Sequence, residues 1–573
     1  MLIFSFLKKI LEKNYFEFIF FQFIVLLNAI SQIVSIVSLY YFVSFLSNEK
    51  INSNFLKIIF KNNFFELDHN IYFYLSVFIG SILVNNFLTI YTNWFSVNFI
   101  NKKNFLTACQ IFKNKIFVNY QKSIKTHSTD TANTLTTEIN RVMRNILYPT
   151  ILINSKIIPF ILILYVVYLK DAELFLYIVF FSFFIFYLII LIFKKRIYIN
   201  GEKISISSKN KLKIINEVAN NLRIIKLFSL EKYFTDKFNL ENKTNIVSQG
   251  QNMFLGSLPK NIVEIISVIV IGALFFNFSD EINQNTEFYS TISFYVFSGY
   301  KIIPSIQTLA SAYLSLKGNQ SALNKVNSSL NKKLSFPKKI EKNKITNFDK
   351  IEIRDVIFKY DTSNFKLDIP NFELRKSQVI GILGESGSGK STFIDILCGL
   401  LKPQNGSFRM NNKNIKFDEW SQNLKKISTI VPQKIFLEDD ELRKNIAFGI
   451  PEEDIDDSIV KKSIKVSNLE KLVKSKKKKI NFFIGENGSM LSGGQIQRVG
   501  IARAIYRNFQ ILILDEATSA LDNNNEKKIL NNLQLIKSNS AIIVITHKEK
   551  LSKYFDVVYR IKNGKLLKNK SND

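Results

Sequence analysis

The sequence predicts a membrane α-helical bundle of six transmembrane helices with cytoplasmic extensions, followed by an α/β domain of the P-loop type. Three observations predict this fold class. Long apolar stretches recur up to about residue 316. Beyond them, glycines and short strand-like runs become frequent. In that second part, the glycine-rich stretch GESGSGKS at 384–391 stands between an apolar strand pattern and a helix pattern.

The composition limits the classes of protein that remain possible. A chain of 573 residues is too long for one domain, and 47% hydrophobic residues with 53 Phe indicate membrane content. The formal charge of +30 indicates either an anionic partner, such as nucleic acid or lipid headgroups, or a general enrichment in Lys alongside Asn, Ile and Phe. No nucleic-acid-binding signature accompanies the charge, so we favour enrichment and expect no nucleic acid partner. Cys109 and Cys398 suggest no disulfide framework, and no Cys/His cluster has metal-site spacing.

Six stretches reach the roughly 20 mostly apolar residues that a transmembrane helix needs. They are 16–46, 71–99, 145–169, 173–193, 258–279 and 287–316. The first is too long for a secretory signal, and no small-residue cleavage site follows it. The sequence therefore predicts a transmembrane domain at 1–318, a Lys/Asn/Ser-rich linker at 319–350 and a second domain at 351–573.

The distribution of Lys and Arg predicts the orientation of these helices. Basic residues precede the first span and follow the second and fourth, whereas SDEINQNTE at 279–287 carries only acidic charges. Both termini are therefore predicted to be cytoplasmic, with the chain in the inner (cytoplasmic) membrane of the cell. The polar segments after the second and fourth spans have helical patterns, so we expect these helices to continue into the cytoplasm. The stretch at 52–70 predicts either an amphipathic helix in the outer interface or a folded-back loop.

The glycine-rich stretch has the residue types that phosphate binding needs. Gly384, Gly389, Lys390 and Ser391 fit the phosphate-loop pattern, in which glycines let backbone N–H groups close around phosphates. The pattern predicts Lys390 on the β- and γ-phosphates and the Ser391 hydroxyl on Mg²⁺, at a helix N-terminus that favours anions. The remaining residues predicted to contact the nucleotide here are Glu385, Ser386, Gly387, Ser388 and Thr392. A chance glycine turn is the alternative to this interpretation.

Four further motifs follow the loop and argue against a chance turn. They are LSGGQ at 491–495, ILILDE at 511–516, SALD at 519–522 and IIVITH at 542–547. A buried strand that ends in two acids is also compatible with an ordinary core strand. Its place after a phosphate loop and a glycine-rich signature makes a nucleotide site the better interpretation.

With these motifs in this order, the sequence resembles the exporter-type half-transporters of the ATP-binding cassette (ABC) family. The resemblance extends over essentially the whole chain and is most specific in the second domain. It implies a P-loop ATPase domain with ATP and Mg²⁺ as cofactors, and an ATP hydrolase coupled to transmembrane transport.

The resemblance also implies a role for five residues of the nucleotide site. Tyr360 matches the aromatic residue that stacks on adenine. Gln433 matches the residue that contacts Mg²⁺ and the attacking water, and Asp515 the acid that holds Mg²⁺. Glu516 matches the general base for water, and His547 the switch residue at the γ-phosphate. Phosphoryl transfer depends mainly on positioning and charge neutralisation, so this set is chemically complete.

The signature implies a partner subunit. Ser492, Gly493 and Gly494, followed by Gln495, match the signature that in the family caps the γ-phosphate of ATP bound to the other subunit. Asp522 matches the loop that crosses the dimer interface. The chain has one phosphate loop and one signature, so it cannot complete a site alone. The resemblance therefore implies a dimer, most simply a homodimer.

Four charged residues within the spans indicate the substrate. Lys260 and Glu264 lie in the fifth span, Lys301 in the sixth and Lys156 in the third, and intramembrane charge usually marks a functional site. The first span adds an uncharged polar stripe of Asn28, Gln32 and Ser35. Together these faces predict a polar, cationic cavity. The alternatives for Lys260 are pairing with Glu264 or extension of its side chain to the cytoplasmic interface.

The substrate class follows from these charges and from a weaker resemblance. PKNIVE at 259–264 and YKIIPS at 300–305 resemble the ABC subgroup that flips lipid-linked oligosaccharides. We therefore expect ATP-driven export or flipping of an amphipathic substrate across the cytoplasmic membrane, foremost a lipid-linked oligosaccharide or similar anionic lipid, with membrane lipids as further partners. The alternatives are a multidrug or general lipid exporter and, in a different class, a nucleotide-gated channel or regulator. A DNA-repair ATPase would lack the spans.

Overall fold

The computed structural model describes residues 15–47, 71–124, 128–277, 287–331, 348–360 and 365–569. The stretch at 52–70 and half of the predicted linker, residues 332–347, lie outside these residues. The chain divides into two compact units. The first consists of Met1–Val118 and Thr126–Leu334, and the second of Asn119–Lys125 and Ser335–Asp573.

The described part of the first unit is helical. Its helices are α1 (Tyr15–Leu46), α2 (Ile71–Phe117), α4 (Ser128–Lys170), α5 (Ala172–Leu227), α6 (Glu231–Asn277), α7 (Glu287–Gly318) and α8 (Gln320–Leu330). The short helix α3 (Tyr120–Ser123) belongs to the second unit. Helices α2, α5 and α6 extend well beyond the apolar stretches within them, as the sequence analysis expected. The cytoplasmic location of these extensions stays a prediction.

Among the described residues, four helices are long and apolar enough to cross a membrane: α1, α2, α4 and α5. The predicted fifth and sixth spans fall in α6 and α7, and their membrane crossing stays a prediction. Large apolar side chains such as Phe87, Ile90 and Phe180 are exposed on α2 and α5. Ile36, Ile163 and Phe294 are instead fully buried between helices. An apolar core with an apolar exterior is typical of a helical membrane domain.

The buried carboxylate of Glu138 connects helices α4 and α8 in the first unit. Two π-helical turns, Thr134–Glu138 and Met143–Leu147, interrupt α4. The Glu138 side chain is fully buried and lies 3.0 Å from Arg141 Nη1 and 3.0 Å from Lys325 Nζ. A charge removed from water needs such partners, so the cluster attaches α8 to α4. The sequence analysis did not predict it.

The second unit contains a ten-stranded sheet. Its strands are β1 (Lys350–Lys359), β2 (Lys366–Arg375), β3 (Val379–Gly384), β4 (Asn405–Met410), β5 (Lys413–Ile415), β6 (Ser428–Val431), β7 (Ile511–Asp515), β8 (Ala541–Thr546), β9 (Val557–Lys562) and β10 (Lys565–Lys568). The strand order is β5-β4-β1-β2-β10-β9-β3-β8-β7-β6. Strands β9, β3, β8, β7 and β6 run parallel to one another, and β1, β2, β4 and β5 form an antiparallel part.

Helices complete this unit as an α/β domain. They are α9 (Lys390–Leu397), α10 (Phe417–Ile427), α11 (Leu442–Ile446), α12 (Asp457–Val466), α13 (Glu470–Lys474), α14 (Gly493–Tyr506) and α15 (Asn523–Ile536). Strands β3 and β8 are almost entirely buried, as continuous apolar runs in a parallel sheet should be. The carboxyl ends of β3, β7 and β8 meet at one edge of the sheet. That edge therefore collects the phosphate loop, Asp515 and the residues after β8, and the predicted fold class is confirmed.

Helices α5 and α7 cross at Gly201 and Gly318, and this close contact allows a prediction about stability. A Cβ placed on Gly201 would lie 1.8 Å from the backbone oxygen of Gly318. Gly201→Ala should therefore force the helices apart and lower stability by about 1–3 kcal/mol. Thermal unfolding of the purified protein in detergent measures the change. The matched control is Gly250→Ala in α6, where nothing lies within 4 Å of the added Cβ. There a gain of about 0.5–1 kcal/mol is expected, and equal melting temperatures for the two variants would contradict the crossing.

Candidate functional site

The turn between β3 and α9 has a backbone that requires glycine. Gly387 and Gly389 have φ values of +79° and +111°, which glycine adopts without steric strain. A Cβ on Gly384 would lie 2.7 Å from Ser388 Oγ and 2.8 Å from the backbone oxygen of Ile561. Nothing lies within 4 Å of a Cβ on Gly387. The loop is thus packed tightly against its surroundings at Gly384 and has free space beside it at Gly387.

Lys390 lies across this loop. Its side chain is buried, and Nζ donates hydrogen bonds to the backbone oxygens of Gly384 at 2.8 Å and Glu385 at 3.0 Å. The hydroxyl oxygen of Ser388 is also buried, and no hydrogen-bond partner for it is found among the described residues. A cation, an unpaired hydroxyl and the first turn of α9 therefore surround the loop. A phosphate group would satisfy all three.

The Glu516 carboxylate is the point where the predicted catalytic residues meet. Gln433 Nε2 donates to Glu516 Oε2 at 2.8 Å. Lys390 Nζ and His547 Nδ1 lie 3.6 and 3.8 Å from Glu516 Oε1. Glu516 has a φ of +48°, a strained conformation for a residue with a side chain, and its N–H donates to the Ile545 backbone oxygen at 3.0 Å. The strained turn directs the carboxylate towards the other three side chains.

Asp515 has the properties expected of a magnesium ligand. Burial and the negative charge of Glu516 raise the pKa of Asp515 to about 6, and the charge of Lys390 only partly opposes this. A bound divalent cation would relieve this repulsion. In the described part of the chain, no three His, Cys, Asp or Glu side chains come together around a metal position. The predicted ligands Asp515, Ser391 and Gln433 offer a carboxylate, a hydroxyl and an amide oxygen, which fit Mg²⁺ because this ion binds through oxygen, takes few carboxylates and completes its shell with substrate phosphates and water.

Two residues near the loop were missed by the sequence analysis. Burial and the charge of Asp515 raise the pKa of Asp395, in α9, to about 6. Burial and the charges of Asp395 and Tyr360 raise the pKa of Tyr120 in α3. An acid within the apolar run FIDIL is the signal that could have identified Asp395.

Tyr360 follows β1 and lies beside α9. Its hydroxyl is 3.1 Å from Thr392 Oγ1, and its ring meets Phe358 edge-on with the centroids 4.9 Å apart. The aromatic ring is therefore held close to the helix that follows the phosphate loop. This position is compatible with stacking on adenine, which stays a prediction.

The signature begins helix α14 and is exposed at its tip. The Ser492 hydroxyl accepts from the Gln495 N–H at 3.4 Å, and the Gln495 side chain accepts from the Ser492 N–H at 2.9 Å. This reciprocal cap fixes the helix start. Ser492 and Gly493 are exposed, and a Cβ on Gly494 would lie 3.1 Å from the Ala520 backbone oxygen. The signature is therefore rigid, accessible, and packed against the loop at 519–522.

That loop ends at the other residue predicted for the dimer interface. Asp522 is exposed and caps α15, since its carboxylate accepts from the Asn525 N–H at 3.3 Å. The hydrogen bonds from Asn525 lower the pKa of Asp522. Asp522 therefore stays charged at the surface, beside the signature.

In the first unit, Lys301 is held by an amide network. Its Nζ donates to Asn85 Oδ1 at 3.3 Å and lies 5.5 and 5.8 Å from the ring centroids of Phe297 and Tyr300. Asn85 is buried, and its amide donates to Asn28 Oδ1 at 2.9 Å. The polar stripe predicted on the first span therefore reaches α7 through a residue of α2 that the sequence analysis had not identified.

The other three charged residues separate into two groups. Lys156 is half-buried and close enough to Lys301 for the two charges to interact. Lys260 and Glu264 are exposed on α6, and among the described residues no ion pair within 4.0 Å joins them. The backbone oxygen of Lys260 accepts from Gln307 Nε2 at 3.1 Å. Lys156 therefore lies in the neighbourhood of Lys301, whereas Lys260 and Glu264 form no ion pair in the described part of the chain.

Comparison with known proteins agrees with this geometry. Residues 367–519 match the model of the ABC transporter family. An ATP-dependent lipid A-core flippase of Saccharophagus degradans is 28% identical over 62% of this chain and 59% of that protein. The chloroplastic ABC transporter B family member 29 of Arabidopsis thaliana is 30% identical over 64% of this chain and 58% of that protein. The multidrug resistance-like ATP-binding protein MdlA of Buchnera aphidicola is 31% identical over 61% of this chain and 60% of that protein. The chain spans about three-fifths of the length of these relatives.

A solved structure matches over nearly the whole chain. It is a bacterial Atm1-family ABC exporter with ATP bound, with a TM-score of 0.76, 16% sequence identity, and coverage of 97% of this chain and 94% of that one. The chain therefore has the fold of that exporter, with a helical unit and an α/β domain on the same polypeptide. Residues 367–519 therefore match an ABC transporter domain, in the part of the chain where the motifs predicted one.

The geometry around Glu516 predicts the behaviour of a conservative variant. Glu516→Gln keeps the size of the side chain but removes the proton acceptor. ATP hydrolysis should fall by about 10²–10⁴-fold, while ATP binding persists because the phosphate loop is unchanged. Phosphate release and binding of a fluorescent ATP analogue, both on the purified full-length protein, measure the two quantities. The control is Glu549→Gln, an exposed carboxylate whose loss should change neither. Hydrolysis near the wild-type rate in Glu516→Gln would remove Glu516 from this role.

Proposed function

We propose that this protein is an ATP-driven exporter or flippase of an anionic amphipathic substrate. It acts as a homodimer in the inner membrane of the cell, with both termini in the cytoplasm. The observation that carries the proposal is the convergence of Gln433, Lys390 and His547 on the Glu516 carboxylate beside an open phosphate loop. This arrangement supports hydrolysis of a nucleoside triphosphate, and the helical unit on the same chain supports its coupling to transport.

The proposed hydrolysis begins at Lys390. When ATP binds, the ammonium group exchanges its bonds to the loop oxygens for the β- and γ-phosphates. Gln433 then orients a water molecule beside Glu516. As the water oxygen bonds to the γ-phosphorus, a Glu516 carboxylate oxygen accepts a water proton, and the bond between the γ-phosphorus and the oxygen bridging to the β-phosphate breaks, so that ADP and phosphate are formed. The His547 side chain is 56% exposed, so it can turn towards the γ-phosphate without disturbing the packing of the core.

Magnesium fits the same set of residues. Mg²⁺ held by Asp515, Ser391 and Gln433 would supply neutralisation of the charge on the β- and γ-phosphates when bound. The raised pKa of Asp515 supports this, because a cation there removes the repulsion between Asp515 and Glu516.

A second copy of the chain would complete each site. Among the described residues, no hydrogen bond joins Ser492 or Gln495 to the phosphate loop, and Ser492 and Gly493 are exposed. A rigid, accessible helix cap is suited to receive a γ-phosphate bound elsewhere. We therefore propose two composite sites in a symmetric dimer, each formed by the phosphate loop of one subunit and the signature of the other.

Mixed dimers test this arrangement. Lys390→Ala and Ser492→Ala should each inactivate the homodimer. A heterodimer of the two variants, purified through two different affinity tags, keeps one intact composite site and one doubly damaged site. It should regain a measurable part of the wild-type ATPase rate, whereas a mixture of separately assembled homodimers should not. Full ATPase activity of a verified monomer would refute the composite-site proposal.

The substrate site is proposed at Lys156 and Lys301. A charge at the centre of a bilayer costs about 2.5–3.5 kcal/mol on insertion scales, so two neighbouring cations there need a reason. The Asn85 amide oxygen and the rings of Phe297 and Tyr300 lie beside Lys301, and none of these groups carries a charge. A phosphate or pyrophosphate headgroup would neutralise both cations. We propose a phosphorylated glycolipid, foremost a lipid-linked oligosaccharide, and the lipid A-core flippase among the relatives supports this substrate class.

Charge-removing variants test the substrate site. The double variant Lys156→Gln/Lys301→Gln should lose most of the ATPase stimulation and translocation that a polyprenyl pyrophosphate glycolipid produces in proteoliposomes. Basal hydrolysis should persist, because the nucleotide site is unchanged. The comparison variant is Lys260→Gln, which removes an exposed cation from α6. If that variant alone abolishes stimulation, the headgroup site lies at Lys260 instead.

The same assay also tests the alternative that the substrate is a drug or a general lipid. The rings of Phe297 and Tyr300 beside Lys301 also suit an apolar drug, and one relative is a multidrug resistance-like protein. Stimulation by neutral or cationic amphiphiles that survives in the double variant would favour a multidrug or general lipid exporter. A double variant that still flips the pyrophosphate lipid at the normal rate would end the headgroup proposal.

A further inference from the structure

Gln497 joins two segments that act on different nucleotides in the proposed dimer. It lies in α14, two residues after the signature, and is buried. Its Nε2 donates to Ser519 Oγ at 3.1 Å, and its Oε1 accepts from the Ala520 N–H at 2.9 Å. A backbone N–H can only donate, so the orientation of the amide is determined by this second bond. Both ends of the side chain therefore bind the loop at 519–522.

The same loop is connected to the candidate general base. The Ser519 N–H donates to the Glu516 backbone oxygen at 3.0 Å, and the Glu516 N–H donates in turn to Ile545 at the end of β8. On its other side, the loop contacts the signature, where Gly494 leaves just enough room for the Ala520 backbone oxygen. A continuous series of hydrogen bonds thus runs from α14 through Gln497 and the loop to the strained turn at Glu516.

We propose that Gln497 is a positioning residue that couples the signature of each subunit to the Glu516 of the same subunit. The inference rests on the proposed dimeric function. In that dimer, the signature contacts the ATP of the partner, whereas Glu516 acts on the ATP of its own subunit. Closure of the signature on one nucleotide would therefore adjust the position of the general base at the other. Gln497 does not contact the nucleotide itself.

Three variants separate coupling from general stability. Gln497→Leu preserves the approximate volume but removes both hydrogen bonds. Gln497→Glu keeps the acceptor for the Ala520 N–H, and the Ser519 hydroxyl can rotate to donate to the new carboxylate. Gln534→Leu is the matched control, a glutamine on exposed helix surface that donates to the Tyr554 backbone oxygen at 3.2 Å. All three are made in the full-length protein in lipid nanodiscs.

The first experiment measures ATPase kinetics of the homodimers. Gln497→Leu should lower kcat at least tenfold with less than a twofold change in the affinity for a fluorescent ATP analogue, because the phosphate loop is unchanged. Gln497→Glu should regain most of kcat, and Gln534→Leu should match the wild type. A kcat within twofold of wild type for Gln497→Leu, or no rescue by Glu, would overturn the proposal.

The second experiment uses the heterodimer of Lys390→Ala and Ser492→Ala. Its one intact site combines the signature of the Lys390→Ala subunit with the phosphate loop and Glu516 of the Ser492→Ala subunit. Coupling predicts that Gln497→Leu lowers the remaining activity when placed in either subunit. An effect only in the Lys390→Ala subunit would mean that Gln497 merely supports the signature, and would refute coupling. If the heterodimer with the native Gln497 in both subunits shows no ATPase activity, that result would count against the proposed function instead. The homodimer kinetics would then still decide the role of Gln497.

Discussion

The nucleotide site depends on one geometric constraint: strands β3, β7 and β8 are parallel neighbours that end at the same edge of the sheet. Residues far apart in sequence, such as Lys390 and Glu516, come within 3.6 Å of each other for this reason. The backbone of Glu516 is strained at that edge, and a sheet buried on both faces can hold such a turn where an isolated loop would relax. The buried sheet of the second unit thus determines which side chains meet at the carboxyl ends of its strands.

Much of this site could be predicted from the sequence because its signals are local. The phosphate loop needs glycines at Gly384 and Gly389 within a few residues of Lys390, and such spacing is visible without a structure. The acids at the end of β7 and the signature that contains Ser492 are local in the same sense. The fold class followed from equally local patterns, namely apolar length in the first part and short buried strands in the second.

The interactions that were missed are long-range pairings of ordinary polar residues. Asn85 has no sequence signal of its own, and its role arises only because α2 places it between Asn28 and Lys301. Gln497 reads as one more polar residue after a signature, until the loop at 519–522 is placed against it. Pairing between distant segments depends on packing, which periodicity and spacing do not encode. For the same reason, the sequence analysis could not decide whether Lys260 pairs with Glu264.

The buried cluster around Glu138 has a consequence for how the first unit responds to its surroundings. Counterions screen charges that they can approach, over about 8 Å at physiological ionic strength, and act far less on a carboxylate that water does not reach. Exposed pairs such as Lys226 with Glu231 will weaken as the salt concentration rises. The attachment of α8 through Glu138 and Lys325 will change much less. A rise in the surrounding salt concentration would therefore loosen the periphery of the helical unit while the register between α4 and α8 is preserved.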